Sequence, residues 1–331
     1  MKELIQKLVA VPGPSGYEGK IRDFIKSEIE SHVSSVKVDA LGNLIAIKGE
    51  KKANGLTIML SAHMDEVGVI VTHVDKHGFV RFSQIGGLNP INCMAAHVVF
   101  LNGTRGIVNC DRREDLTKVP AITDLFIDVG ASSPEDCPVK IGEMGYFDQP
   151  FLALGNRVVS KALDDRLGCA ILIELIKNIG ETPHELICVF SSQEEVGIRG
   201  VTAAAYSSDP DLGIAIDVTA VGDTPGAKME VGLGKGPAIK VRDEGMLSDP
   251  RVVAMMRACA EKNKIAYQLE ILRGGTTDAR AIQVTRAGVP AGCVSIPTRY
   301  IHSPSEMADL GDINDSLKLL QELLRNPIEL K

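Results

Sequence analysis

Leu56-Thr57-Ile58-Met59-Leu60-Ser61-Ala62-His63-Met64-Asp65-Glu66 is the stretch on which the fold turns. From Leu56 to Leu60 it is short and almost continuously apolar, the pattern of a central strand buried on both faces. It then gives way to an imidazole and two carboxylates, His63, Asp65 and Glu66. In open α/β sheets ligands gather beyond the carboxyl ends of the strands, so a strand ending in such groups marks both the fold and the place to look for chemistry.

Upstream, Ser15 followed by Glu18 has the spacing of a capping box, and Ile21, Phe24, Ile25 and Ile29 predict the apolar face of the helix it would start. Leu41 to Ile47 reads as a strand. Downstream the texture changes. From Val67 to about Lys161, short strand-like runs at 69–73, 79–82, 98–101, 106–108 and 125–129 are punctuated by Lys76-His77-Gly78, Gly86-Gly87 and Asn102-Gly103, which predicts a small all-β module. After Asn156 the helical period returns with a helix over 165–178. Strand-like runs at 186–190, 212–216, 267–272 and 293–296 then alternate with helical patterns at 250–261, 278–285 and 313–324. Such alternation predicts an α/β layered domain. The expected organisation is an α/β domain made of residues 1–66 and 162–331, with an inserted β domain over 67–161.

Composition narrows the function. With 331 residues, 44% hydrophobic and 24% charged, the chain reads as an ordinary soluble globular protein. A net charge of -7 gives no basic face for phosphate contact, so nucleic acid is excluded as an expected partner. Few aromatics, with no Trp among them, leave few platforms on which bases or sugars could stack. No apolar stretch approaches the roughly 18 residues of a spanning helix, and Met1 to Ala10 has no apolar leader core, so neither a membrane nor a secretory route is expected. The seven cysteines are scattered without a C-x-x-C pair and read as reduced residues of a cytoplasmic protein.

The strand ends carry the chemistry. Beyond 56–60 stand His63 and Asp65, beyond 186–190 Glu194 and Glu195, beyond 214–216 Asp217, and a little beyond 294–296 His302; Asp164 and Asp165 sit where a strand-like segment turns into a helix. This set of imidazoles and carboxylates, without a thiolate, suits Zn, Co or Mn. A hydrolytic two-metal site wants one bridging carboxylate and about two further ligands per ion, which His63, His302 and three carboxylates would satisfy. A remaining acid can move a proton, and an Asp near a ligating His can fix its tautomer. Taken singly, each residue also has a plain structural reading. Asp164-Asp165 could cap a helix, Asp65-Glu66 could be a solvated turn, and Glu194-Glu195 a surface pair. Their coincidence at successive strand ends favours the metal site. His32, His73, His77, His97 and His184 lack comparable acidic neighbours and read as structural or surface residues, and the mixed-sign run 111–118 as an exposed loop. Gly274-Gly275-Thr276-Thr277-Asp278 lacks the ending of a phosphate loop and reads as a tight turn with Thr276 or Thr277 capping the next helix.

In order along the chain, Ala62-His63-Met64-Asp65-Glu66-Val67-Gly68, Leu163-Asp164-Asp165-Arg166-Leu167-Gly168-Cys169, Gln193-Glu194-Glu195-Val196-Gly197, Ile216-Asp217-Val218, Gly274-Gly275-Thr276-Thr277-Asp278-Ala279 and Tyr300-Ile301-His302-Ser303 resemble the motifs of the M42 metallo-aminopeptidases. These are the glutamyl and tetrahedral aminopeptidases, some of whose members are labelled endoglucanases. The resemblance covers essentially the whole chain. It implies that Asp164 bridges two divalent ions, His63 and Asp217 completing one site and Glu195 and His302 the other, with Glu194 as general base and Asp65 orienting His63. It also implies a three-layer α/β/α zinc-peptidase domain with a small inserted β domain that helps subunits pair, in a homodimer or a homododecamer. One departure is the compact stretch Asn109-Cys110-Asp111-Arg112-Arg113, where many relatives have a longer, basic, Pro-rich connection.

The expected activity is removal of N-terminal residues from peptides by metal-activated water, with Glu194 as proton carrier. Two other classes compete: glycoside hydrolysis of the endoglucanase type by paired carboxylates, which leaves His63 and His302 without a task, and a non-catalytic metal-binding scaffold, which leaves Glu194 without one.

Overall fold

The structure, a computed structural model, describes residues 1–115 and 117–330. Two helices open the chain, α1 (Lys2–Ala10) and α2 (Gly19–Ile29), followed by strands β1 (Ser35–Val38), β2 (Leu44–Lys48) and β3 (Thr57–His63). The capping box expected at Ser15 and Glu18 does not form. Ser15 Oγ donates instead to Asp65 Oδ2 at 2.7 Å, and Glu18 Oε1 accepts from the backbone N–H groups of Gly16 and Gln193. A buried carboxylate is a stronger partner for a hydroxyl than a helix terminus open to water.

The chain then builds a closed barrel from β4 (Gly68–Val74), β5 (Val80–Ile85), β6 (His97–Phe100), β7 (Arg105–Cys110), β8 (Leu125–Asp128) and β9 (Met144–Phe147), in the order β4-β5-β8-β7-β6-β9, with one helical turn, α3 (Pro90–Cys93), between β5 and β6. Val69, Val71, Phe82, Phe100, Ile127 and Phe147 belong to a core of its own. The next strands, β10 (Leu152–Leu154) and β11 (Arg157–Ser160), do not belong to this barrel. They pair with β17 (Glu306–Asp309) in the large sheet, so the last part of the 67–161 stretch is built into the α/β layers. The strands from β9 to β11 are too short to display an alternation that a reading of local pattern detects.

The remainder alternates as expected: α4 (Leu163–Asn178), β12 (Glu185–Ser191), α5 (Arg199–Ser208), β13 (Leu212–Thr219), β14 (Ala238–Arg242), α6 (Pro250–Lys262), β15 (Gln268–Ile271), α7 (Asp278–Gln283), β16 (Ala291–Arg299), then β17 and α8 (Leu310–Leu324). The large sheet has eleven strands, with β12, β3, β13 and β16 adjacent and mutually parallel at its centre. Alternation along these strands separates two layers. Ile58, Leu60, Leu186, Cys188 and Phe190 pack with α1, α2, α4, α6 and α8, whereas Met59, Ile187 and Val189 face α5 and α7. β13 is buried along its whole length, as a central strand between two helical layers must be. The fold is therefore a three-layer α/β/α arrangement with a small barrel inserted between β3 and the rest. Arg166 ties α4 to the N-terminal layer, its buried Nη1 donating to the carbonyls of Leu8 and Val11 at the end of α1. No helix among the described residues is long and apolar enough to cross a membrane.

Candidate metal centre

Parallel pairing brings the carboxyl ends of the central strands to one edge. Ser191 of β12 is in register with His63 of β3, and Asp217 of β13 with Ser295 of β16. The segments leaving these ends carry Glu194, Glu195 and His302, and the start of α4 places Asp164 among them.

Asp164 lies between the two imidazoles. Its Oδ1 is 2.9 Å from His63 Nε2 and its Oδ2 is 3.3 Å from His302 Nε2. On either side, His63 Nε2 is 3.8 Å from Asp217 Oδ1, and His302 Nε2 is 3.2 Å from Glu195 Oε1. His63, Asp164 and Glu195 place ligand atoms within 4.8 Å of one another, and so do His63, Asp165 and Asp217. The five residues expected to hold metal are thus brought together.

The supports of this cluster come from distant chain segments. The backbone N–H of His63 donates to Asp165 Oδ2, and the N–H of Gly168 to Asp165 Oδ1, so the second aspartate holds the end of β3 against α4. Glu306, 1% exposed, accepts from the backbone N–H of Asp164 through Oε2 at 3.0 Å and from that of His302 through Oε1 at 2.8 Å. The sequence reading did not find Glu306, because nothing in its local pattern sets it apart from an ordinary polar residue. Asp65 does touch His63, whose Nδ1 is 3.1 Å from the Asp65 carbonyl oxygen and 3.5 Å from its carboxylate. That carboxylate chiefly accepts hydrogen bonds, from Ser15 Oγ and from the N–H groups of Glu194 and Glu195.

The electrostatics are those of a crowded anionic site. Burial and the surrounding carboxylates push Asp217 and Glu194 well above the ordinary carboxylate range, and Glu195 above it. Burial opposes charge on the imidazoles, but hydrogen bonds to the carboxylates prevail, holding His63 well above its usual value and His302 at about 12. Lys240, the lysine lining this cavity, is committed to Glu270 at 2.6 Å. Glu195 Oε1 is buried and faces His302 Nε2 at 3.2 Å. Buried carboxylates crowded against two imidazoles, and paired with no lysine or arginine among the described residues, form a donor set for divalent cations. A cavity of about 510 Å³ opens above it, lined by His63, Asp164, Glu194, Glu195, Asp217 and His302 among others.

The remaining sequence expectations divide. His184 is buried, its Nδ1 accepting from the N–H of Leu56 and its Nε2 lying 2.9 Å from the carbonyl of Asn326, while His32, His73, His77 and His97 are exposed. Thr277 caps α7 as read from the sequence, its side chain accepting from the N–H of Ala279. Glu66 is no solvated turn: it is buried and paired with Lys161 at 2.7 Å. Asp278 is also buried, accepts from Ser191 Oγ at 2.6 Å, and is pushed up to about 6 by its burial. In the run 111–118, Asp111 pairs with Arg81; Leu116 lies outside the described residues.

Comparison with known proteins gives a consistent pattern. The family model described as M42 glutamyl aminopeptidase matches residues 42–319. The lysyl aminopeptidase of Pyrococcus furiosus is 36% identical, over 97% of this chain and 96% of its own. Among solved structures, an aminopeptidase from the archaeon Desulfurococcus kamchatkensis superposes with a TM-score of 0.94 at 37% identity, covering 98% of this chain and 94% of that one. The TET1 peptidase of Pyrococcus horikoshii, which can assemble into a tetrahedron or a large octahedral shell, superposes with a TM-score of 0.88 at 34% identity, covering 98% of both chains.

Proposed function

The chain belongs to the M42 glutamyl aminopeptidase family, and from that premise we propose that it is a two-metal aminopeptidase whose centre is the cluster around Asp164. Asp164 would bridge two divalent ions, Zn, Co or Mn, with His63 and Asp217 completing one site and Glu195 and His302 the other. The observation that carries this reading is the position of Asp164, one oxygen toward each imidazole. Such ions, when bound, supply positive charge that polarises the scissile carbonyl, acidifies water and offsets the charge of the tetrahedral state.

The chain's own contribution is proton transfer and positioning. Glu194 lines the cavity, and its burial raises its proton affinity well above that of an ordinary carboxylate, as suits a group that accepts a proton. It would accept a proton from the attacking water as the C–O bond forms, and release it to the leaving nitrogen as the C–N bond breaks. Asp65 acts as a positioning residue, holding both Glu194 and Glu195 by their backbone N–H groups and touching His63.

The barrel is proposed as the pairing module of a homodimer, with a homododecamer as the larger assembly. Ile107, Val119 and Ile141 on and beside it are at least half exposed, which supports an interface there. Seven free cysteines support a reducing, cytoplasmic setting.

The test is hydrolysis of a panel of aminoacyl-p-nitroanilides and short peptides after chelation and after separate return of Zn, Co or Mn. Restored release of N-terminal residues, abolished by N-acetylation of the substrate, is expected. Chelator-insensitive hydrolysis of a polysaccharide would instead support the glycosidase reading, and bound metal without any turnover the scaffold. Both competitors leave the geometry unexplained: the first has no use for imidazoles wedged between carboxylates, the second none for Glu194.

A further inference from the structure

Two depressions adjoin the catalytic cavity. One, sharing Leu272 and Gly274 with it, has charges of both signs, Lys228, Glu230 and Arg273. The other, of about 770 Å³, shares Gly197, Ile198 and Arg280 with the cavity and adds Arg199 and Arg286 with no carboxylate in its lining. The charge therefore reverses across the shared residues, from an acidic centre to a basic groove with apolar patches at Leu41, Tyr206 and Val284.

The guanidinium groups of this groove are not equivalent. Arg286 is occupied, stacked on the Tyr206 ring at 4.4 Å and 3.4 Å from Asp209. Among the described residues, the Arg199 guanidinium has a neutral partner, Gln193 Oε1, at 3.4 Å. Arg280 pairs with no carboxylate among the described residues and is exposed. Its stem runs close over Gly245, where a Cβ would stand 2.6 Å from Arg280 Cδ. Among the described residues it is also the one charged side chain that lines both the catalytic cavity and the basic groove.

We propose that Arg280 is a specificity-determining residue that binds a carboxylate of the peptide downstream of the scissile bond, with the basic groove receiving the leaving portion of the substrate. The inference rests on the aminopeptidase reading. An enzyme that removes one N-terminal residue holds that residue at the metal centre and must lead the rest of the chain out of the cavity. A short peptide is itself a dipole, with an ammonium at the end being cleaved and a carboxylate at the other. The ions proposed for the centre offset its carboxylates, whereas no carboxylate in the groove's lining offsets Arg280, so a peptide led out of the cavity meets a positive charge that complements its downstream carboxylate. The carboxylate could be the peptide's C-terminus or a downstream Asp or Glu side chain; the chemistry recognised is the same.

The experiment uses peptides with the preferred first residue followed by two or three alanines, each as the free acid and as the C-terminal amide, and an amide carrying Glu at the third position. Wild type, R280M and R280K are compared through the acid-to-amide ratio of kcat/KM within each enzyme, which cancels any loss of folded protein. In wild type the acid is expected to be favoured about five- to tenfold, chiefly in KM. The preference should shrink at about 0.5 M salt, a response that a purely structural role would not give. In R280M the ratio should fall toward one, and R280K should recover part of it. Full recovery of rate by the Glu-bearing amide shows that a side-chain carboxylate is accepted; no recovery assigns the contact to the C-terminus. A wild-type ratio near one, or a ratio that survives in R280M, overturns the proposal while leaving the aminopeptidase reading intact. Failure to cleave any peptide with metal bound overturns both.

Discussion

The backbone N–H of Glu194 donates to Asp65 Oδ1 across 2.9 Å, binding the segment after β12 to the segment after β3. Glu195 N–H and Ser15 Oγ share the other oxygen, so the buried carboxylate accepts from three donors. In D65N one of these oxygens becomes an amide donor facing N–H or O–H groups. The expected cost is about 1–3 kcal/mol of stability, with kcat lowered about 10²-fold through misplacement of the two glutamates. Urea unfolding and steady-state kinetics check both. An unchanged kcat with an unchanged midpoint would show that the segment is held by other contacts.

Glu194 reaches the cavity without being needed as a ligand in the proposed arrangement, so E194Q should separate metal binding from turnover. Metal content measured after gel filtration should match wild type. The value of kcat should fall by about 10² to 10⁴. Wild-type-like turnover would remove Glu194 from the role of base.

The Gly86-Gly87 turn after β5 presses on the centre from the barrel side. A Cβ on Gly87 would lie 3.0 Å from His302 Nδ1 and 3.4 Å from its Cε1, and one on Gly86, where φ is +77°, would lie 3.0 Å from Glu195 Oε2. G87A should displace His302 and weaken the ion held by His302 and Glu195 more than the ion held by His63 and Asp217. Metal titration of the apoprotein should resolve one weakened site from one retained site. Two unaltered sites would mean that the ring has room to yield.

Asp312, buried near the start of α8, accepts from the N–H groups of Gly234 and Gly236 at 2.7 Å each. Burial pushes its carboxyl up to about 6 from 3.8, with Asp309 and Asp315 adding to the shift. Because the folded state then keeps a proton that the unfolded chain has released, this residue's stabilisation is full below about pH 4 and is lost as pH rises through about 6. The stability of D312N relative to wild type should therefore rise between about pH 4 and pH 7, read from urea midpoints. A pH-independent difference would show that Asp312 is ionised throughout that range in the fold.

Local pattern was sufficient for the strands that matter most. An apolar run such as 56–60 is buried wherever it goes, because its burial follows from composition, and residues placed just beyond such runs must surface together once the strands pair in parallel. That is why His63, Glu194, Glu195, Asp217 and His302 were legible before any coordinate. The supports were not. Ser15 reads as a helix cap, yet its hydroxyl goes to Asp65, 50 positions away. Glu306 has no local pattern to set it apart, yet it joins Asp164 to His302. The short strands from β9 to β11 carry no detectable period, and their assignment to barrel or sheet depends on which edge remains free to pair.

By itself, then, the sequence determined which segments are buried and which polar side chains stand at their ends, since both follow from the transfer of apolar groups out of water and from the period of the strand. Only the tertiary structure decided which carboxylate faces which imidazole, which hydroxyl leaves its local partner for a distant one, and how closely the barrel approaches His302. Those choices are made by competition between contacts far apart in the chain, where a buried charge takes the strongest donors within reach whatever their distance in sequence.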